Sequence, residues 1–152
     1  MIHNAYPFLS FILSVIAAQV LKPFFAYFKG REFRPNLVFA SGGMPSSHTA
    51  GVVGLCVSVG IQEGLKSPLF AITLAFAFVT AYDAANVRYY AGKNIKLTKQ
   101  LIKDLRDNDD IELDEPIYDE PFKDVLGHRW SEVYVGGILG IIIAFLININ
   151  FY

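Results

Sequence analysis

Four apolar stretches, each near the length of a bilayer crossing, limit this chain to a helical membrane protein. A spanning helix needs roughly 17–25 mostly apolar residues, because its backbone must satisfy its own hydrogen bonds where water is absent. The first stretch runs from Pro7 to Phe28, interrupted only by Gln19 and by Lys22-Pro23. The second, Ser47 to Ile61, is short and glycine-rich, which suits tilt or close helix contacts. A turn from Gln62 to Ser67 leads to the third, Pro68 to Val87, and the fourth covers Glu132 to Phe151. A composition of 53% hydrophobic and 18% charged residues agrees with this pattern. The expected fold is all-α: an integral membrane bundle of about four spanning helices, one domain over residues 1–152. The N-terminus lacks the positive region and small-residue cleavage site of a secretory signal, so the first stretch reads as a retained helix.

Between the third and fourth stretches lies a charged linker over 93–125. Lys93 to Arg106 reads as an amphipathic helix, with Leu97, Leu101, Ile102 and Leu105 on one face and Lys96, Lys99, Lys103 and Arg106 largely opposite. Such a helix suits the membrane interface, where basic groups meet anionic lipid. Asp107 to Glu120 then carries eight acidic residues and reads as a solvated loop. It lacks the ligand spacing and central glycine of an EF-hand. A net charge of −1 and no basic stripe with interleaved aromatics leave no case for a nucleic-acid partner. The single cysteine, Cys56, lies within an apolar run and reads as a buried, inert thiol.

Four crossings in order place the first loop, the end of the third stretch and the linker on one side. That side collects twelve of the thirteen basic residues and leaves Lys66 alone on the other. By the positive-inside rule it is cytoplasmic, and both termini face away from it. His48, Arg88 and His128 all arrive at this same face.

Three polar features there carry candidate chemistry. In Ser41-Gly42-Gly43-Met44-Pro45-Ser46-Ser47-His48, the glycines loosen the backbone, Pro45 suits a helix start, and Ser46 and Ser47 suit its cap. The free N–H groups of that helix start favour an anion, with His48 in the first turn to hold or move a proton. A capped helix whose histidine merely packs would show the same residues. His128 and Glu132, four apart, share a helix face, so the carboxylate can fix the imidazole tautomer and leave the other nitrogen as a nucleophile. Anchoring a helix end at the interface is the plainer use of that pair. Asp83, beside a membrane segment, needs a partner, and Arg88 can pair with it or face an anion. Gly136-x-x-x-Gly140 lets helices approach closely in lipid. A homo-oligomer is one use of such a surface, and nothing else in the chain supports it.

Together, Gly-Gly-Met-Pro-Ser-Ser-His, Tyr-Asp-Ala-x-x-Val-Arg and Gly-His-x-x-x-Glu resemble the divergent branch of the phosphatidic acid phosphatase type 2 superfamily, which is related to acid phosphatases and vanadium haloperoxidases. The resemblance runs from Ala18-Gln19-x-x-Lys22 to the glycine-rich last segment. It implies a membrane enzyme that hydrolyses a lipid phosphomonoester with no metal or cofactor. His128 would attack phosphorus with Glu132 orienting it, and His48 would protonate the leaving alkoxide and then activate water. Ser46, Ser47 and nearby amides would hold phosphate oxygens, with Lys22, Arg31 or Arg34, and Arg88 neutralising charge and Asp83 in support. Phosphatidylglycerophosphate or phosphatidic acid, made on the inner leaflet, suits the expected sidedness.

The chain also departs from the superfamily pattern. Tyr27 stands where a lysine seven residues before Arg34-Pro35 is usual, so that lysine is Lys22 or Lys29. Pro121-Phe122 replaces the usual Ser-Arg ahead of the nucleophile, and Glu132 replaces aspartate. About four crossings stand in place of the usual six helices. The alternative is a non-catalytic lipid- or anion-binding membrane protein that retains a degenerate site. A soluble haloperoxidase conflicts with the membrane-length segments.

Overall fold

The computed structural model describes residues 5–40, 42–107, 116–119 and 127–151, and every regular element among them is helical. Five helices carry the fold: α1 Tyr6–Phe28, α2 Ser47–Glu63, α3 Pro68–Tyr82, α4 Arg88–Arg106 and α5 Trp130–Phe151. Most of the acidic run, 108–115 with 120, and Lys123 lie outside the described residues.

Local signals set the helix ends. α1 carries Pro7 in its first turn, where a missing N–H costs nothing, and the chain leaves it through Gly30 at φ 74°. Ser46 caps α2 and Ser67 caps α3, the latter accepting from the Phe70 N–H at 3.1 Å. Pro45 therefore stands just before the cap rather than inside the helix. A 3₁₀ turn over Pro35–Phe39, which hydrophobic patterning gave no sign of, connects α1 towards α2.

Packing fixes the directions. The α1 face bearing Ser10, Ser14 and Val15 meets Gly54 and Gly51 of α2 in reverse order, so these helices are antiparallel. Gly136 and Gly140 of α5 meet Ser46, Ala50 and Gly54 of α2 in the same order, so this pair is parallel. Phe70 of α3 lies against Gly60 of α2, while Phe76 and Thr80 border a cleft with Ser47 and His48. The end of α1, the start of α2, the end of α3 and the start of α5 thus gather at one end of the bundle. At the opposite end, the buried Tyr6 hydroxyl donates to the Ala144 carbonyl at 3.0 Å.

The bundle is inside-out by the standard of a water-soluble protein. Its centre is built of small residues: Ser10, Ser14, Ala18, Ala50, Ser58 and Ala144 are fully buried. The large side chains point outward, among them Phe8, Ile16 and Phe24 on α1, Leu69, Ile72 and Phe78 on α3, and Ile142, Phe145 and Ile149 on α5. Exposed apolar surface on this scale suits lipid, and small residues inside let the backbones approach.

Among the described residues, three helical stretches are long and apolar enough to cross a membrane: Tyr6–Phe28, the 39-residue Pro68–Arg106, and Trp130–Asn150. α2, the remaining expected crossing, has 17 residues, or about 25 Å against a hydrocarbon core of roughly 30 Å. The amphipathic helix expected over Lys93–Arg106 is present but begins earlier. It continues from α3 through a π turn, Asp83–Val87, without a break. No residue of α4 is buried. The Gly136-x-x-x-Gly140 surface is taken up within the chain by α2, so it is not free to pair two copies.

Candidate functional site

The second histidine is held from its backbone outward. The π turn widens the helix so that the Arg88 N–H reaches back five residues to the Asp83 carbonyl. Ala84 in this turn accepts a 3.0 Å hydrogen bond from the His128 backbone N–H. Ala84 and Ala85 pack with Val133 of α5, all three buried. Gly127 lies directly on the Arg88–Tyr89 backbone, and any Cβ there would overlap it. The segment entering α5 is thereby pinned to the junction of α3 and α4.

From this position the His128 Nδ1 meets the Glu132 Oε2 at 3.1 Å. An ionised carboxylate only accepts, so Nδ1 carries the proton, and in the neutral ring Nε2 is then the nitrogen with the lone pair. The same Oε2 accepts from the Arg129 N–H at 3.2 Å, which fixes the carboxylate. His128 is 2% exposed, and its Nε2 is buried with no hydrogen-bond partner.

The first histidine reaches the same place through Ser46. The Ser46 Oγ caps α2, accepting from the Thr49 N–H at 3.4 Å and the Thr49 hydroxyl at 3.0 Å. The Ser46 N–H in turn donates to the Glu132 carbonyl at 3.0 Å, and Gly136 rests against the Ser46 carbonyl. One residue therefore joins the start of α2 to the start of α5. His48, in the first turn of α2, faces His128 edge-on with ring centroids 6.4 Å apart. The charged side chains Arg88, Lys22 and Asp83 act on His48 from the other walls of the site.

The basic candidates divide. Lys22, 2% exposed, donates to the Ala40 carbonyl. It lines a cavity of about 80 Å³ with Lys29, Arg31, the Gly42–Gly43 backbone and Glu132, so both lysines left open by the sequence border one space. Arg31 belongs there too. Arg34 does not: it is exposed on the loop and pairs with Glu32 at 3.0 Å. Arg88 bonds Asp83 at 2.7 Å across the π turn, because five residues meet on one face only where the helix widens. A second cleft, about 340 Å³, opens at His48 and Ser47 between Phe11 and Val15 of α1, Val52 of α2, and Phe76 of α3.

Ala84, Gly127 and Gly136 position the site without bearing chemistry of their own. In the sequence Gly127 opens the Gly-His-x-x-x-Glu motif and Gly136 belongs to the Gly-x-x-x-Gly spacing of the last segment. The role of the Ala84 carbonyl had no sequence signal.

A family model described as the divergent PAP2 family matches residues 3–143. The chain is 35% identical to the uncharacterized membrane protein YuiD of Bacillus subtilis (strain 168), over 93% of each chain. No solved structure matches it. With the two histidine motifs meeting at one end of an apolar helical bundle and the family match covering nearly its whole length, the chain belongs to the divergent PAP2 family.

Proposed function

We propose that this chain, acting as one unit over residues 1–152, is an integral-membrane phosphatase for a lipid phosphomonoester of the phosphatidylglycerophosphate or phosphatidic acid kind. The observation that carries this reading is the unpartnered Nε2 of His128, whose ring is oriented by Glu132 and faces His48.

The lone pair of Nε2 attacks phosphorus, forming an N–P bond as the P–O bond to the lipid alcohol breaks. His48, protonated, gives its proton to the leaving oxygen. Neutral His48 then takes a proton from water, which attacks the phosphohistidine and releases inorganic phosphate. Lys22, Lys29, Arg31 and, after exchange with Asp83, Arg88 offset the charge that builds on the phosphoryl oxygens. Attack at about 3 Å and a hydrogen bond of about 2.8 Å on the far side need more room than two rings in edge contact, so substrate must part them.

Two further assignments belong to the same reading. α2 is the fourth crossing, since it runs parallel to α5 through the bundle. The site faces the cytoplasm with both termini opposite, because the basic residues gather at its end.

The test is trapping with radiolabelled lipid phosphate in detergent. Wild type yields an acid-labile, alkali-stable phosphoprotein. His128→Ala yields none, and His48→Ala forms it slowly and discharges it slowly, because it loses both the acid for the leaving oxygen and the base for water. Turnover that survives in His128→Ala ends the proposal. One observation favours a non-catalytic anion-binding protein instead: Arg88 is already committed to Asp83. Vanadate binding without any phosphoenzyme would select that reading.

A further inference from the structure

We propose that a third cleft, between the π turn and the start of α5, binds the headgroup of an anionic phospholipid whose phosphodiester is its only charge. This lipid is a ligand of the bundle and not its substrate. The proposal goes beyond the phosphatase reading and does not depend on it. The cleft shares no lining residue with the cavity at Lys22 or the cleft at His48.

The space is about 390 Å³, within the range of a small-molecule site. Asn86, Tyr89 and Tyr90 line it from the π turn and α4, and Arg129, Trp130 and Ser131 from the segment entering α5. Its two walls are joined where Gly127 lies on the Arg88–Tyr89 backbone and the His128 N–H donates to the Ala84 carbonyl. The contacts that hold His128 therefore also set the shape of this cleft.

Among the described residues that line it, Arg129 alone is charged. Its backbone N–H is spent on Glu132, but among the described residues no carboxylate pairs with its guanidinium. One open guanidinium matches the single charge of a phosphodiester, and its fork can donate to two phosphate oxygens at once. Asn86, Ser131 and the tyrosine hydroxyls suit uncharged headgroup hydroxyls. A cationic headgroup is disfavoured on two counts. No aspartate or glutamate lines the cleft. The aromatic faces that would hold a quaternary ammonium are already taken, with the Lys93 Nζ 4.9 Å from the Tyr89 ring centre and 5.7 Å from that of Tyr90.

The rim points to a lipid rather than a soluble ester. Tyr90, Trp130 and Tyr134 are exposed there, and the rings of Trp130 and Tyr134 lie 5.9 Å apart. Tryptophan and tyrosine at the end of an apolar helix mark headgroup depth. From this point Trp130, Tyr134, Ile138 and Ile141 form one exposed face of α5. Acyl chains attached to a headgroup in the cleft lie along that face, in hydrocarbon.

Trp130 is the chain's only tryptophan and reports occupancy of the cleft directly. The full chain in uncharged detergent micelles is titrated with phosphatidylglycerol, phosphatidylinositol and phosphatidylcholine. The two anionic lipids should give a saturable change in Trp130 emission at about tenfold lower mole fraction than phosphatidylcholine. Arg129→Gln should raise the half-saturating fraction about tenfold. Lys96→Gln, which removes an exposed charge of α4 outside the cleft, should change it less than twofold. Glycerophosphoglycerol, the same headgroup without chains, should give no response at equal concentration. The wild-type comparison among lipids decides the matter even where a variant does not fold. An equal response to phosphatidylcholine, or equal losses in the two variants, would reduce the effect to surface charge and overturn the site. An equal response to glycerophosphoglycerol overturns the lipid assignment. A response to phosphatidylglycerol without phosphatidylinositol marks a reaction product in the histidine site and overturns it too. Each of these results leaves the phosphatase reading to its own trapping test.

Discussion

His128 and Glu132 make a unit whose parts fail differently. Replacing the carboxylate by an amide keeps a hydrogen-bonding group near Nδ1 but removes the charge that favours the reactive tautomer and stabilises a cationic intermediate. Glu132→Gln should lower kcat by about 10²–10⁴ with a smaller change in KM, measured on any accepted phosphate substrate. The basic residues give a contrast of another kind. Arg31→Ala should raise KM because Arg31 borders the cavity with Lys22 and Lys29, whereas Arg34→Ala should stay within about twofold. Equal losses in both would mean that the loop, not the cavity, binds phosphate. Sequence reading left Arg31 and Arg34 as alternatives because they lie in one polar loop, where spacing does not say which side chain turns inward. Both histidines were legible, since each stands beside a local signal: a serine cap for His48 and an i,i+4 carboxylate for His128.

Helix ends were legible for the same local reason. Ser46, Ser67 and Pro68 mark where α2 and α3 start, and the apolar run of α1 matches its helix almost residue for residue. The joining of α3 to α4 was hidden. Asp83, Asn86 and Arg88 lower the hydropathy like a segment end, yet no proline or helix-ending glycine stops the backbone, so the helix continues through a π turn. Contacts between elements were only half legible: Gly136 and Gly140 announce a close approach but not the partner, which is α2. Position 136 and its neighbour test this directly. Gly136→Ala would drive a methyl into the Ser46 carbonyl and should destabilise by about 1–3 kcal/mol while displacing His48 from His128. At Gly137 the nearest atoms are an ordinary 3.9 Å away, so Gly137→Ala should be neutral or gain up to about 1 kcal/mol. Thermal unfolding in detergent alongside phosphatase rates separates the two. A larger loss at position 137 than at 136 would mean that α5 faces α2 with a different side.

The molecule as a whole is explained by the solvent it needs. Small side chains inside and large apolar ones outside reverse the order that water imposes, and four helix ends converge so that groups far apart in sequence meet at one boundary. That convergence makes sidedness a property of the bundle rather than of any loop. If α2 crosses, Lys66 lies on the face opposite the site, and the exposed part of α4 lies on the site's own face. In a Cys56→Ser background, Lys66→Cys and Lys96→Cys place one thiol on each side. In intact cells a membrane-impermeant thiol reagent should label position 66 and leave position 96 unlabelled until the membrane is opened. If both positions label together, the stretch between them, α3 with the start of α4, does not cross. If only position 96 labels in intact cells, the bundle is inverted and the phosphate site opens outward. The histidine chemistry then stands, but an inner-leaflet substrate is excluded.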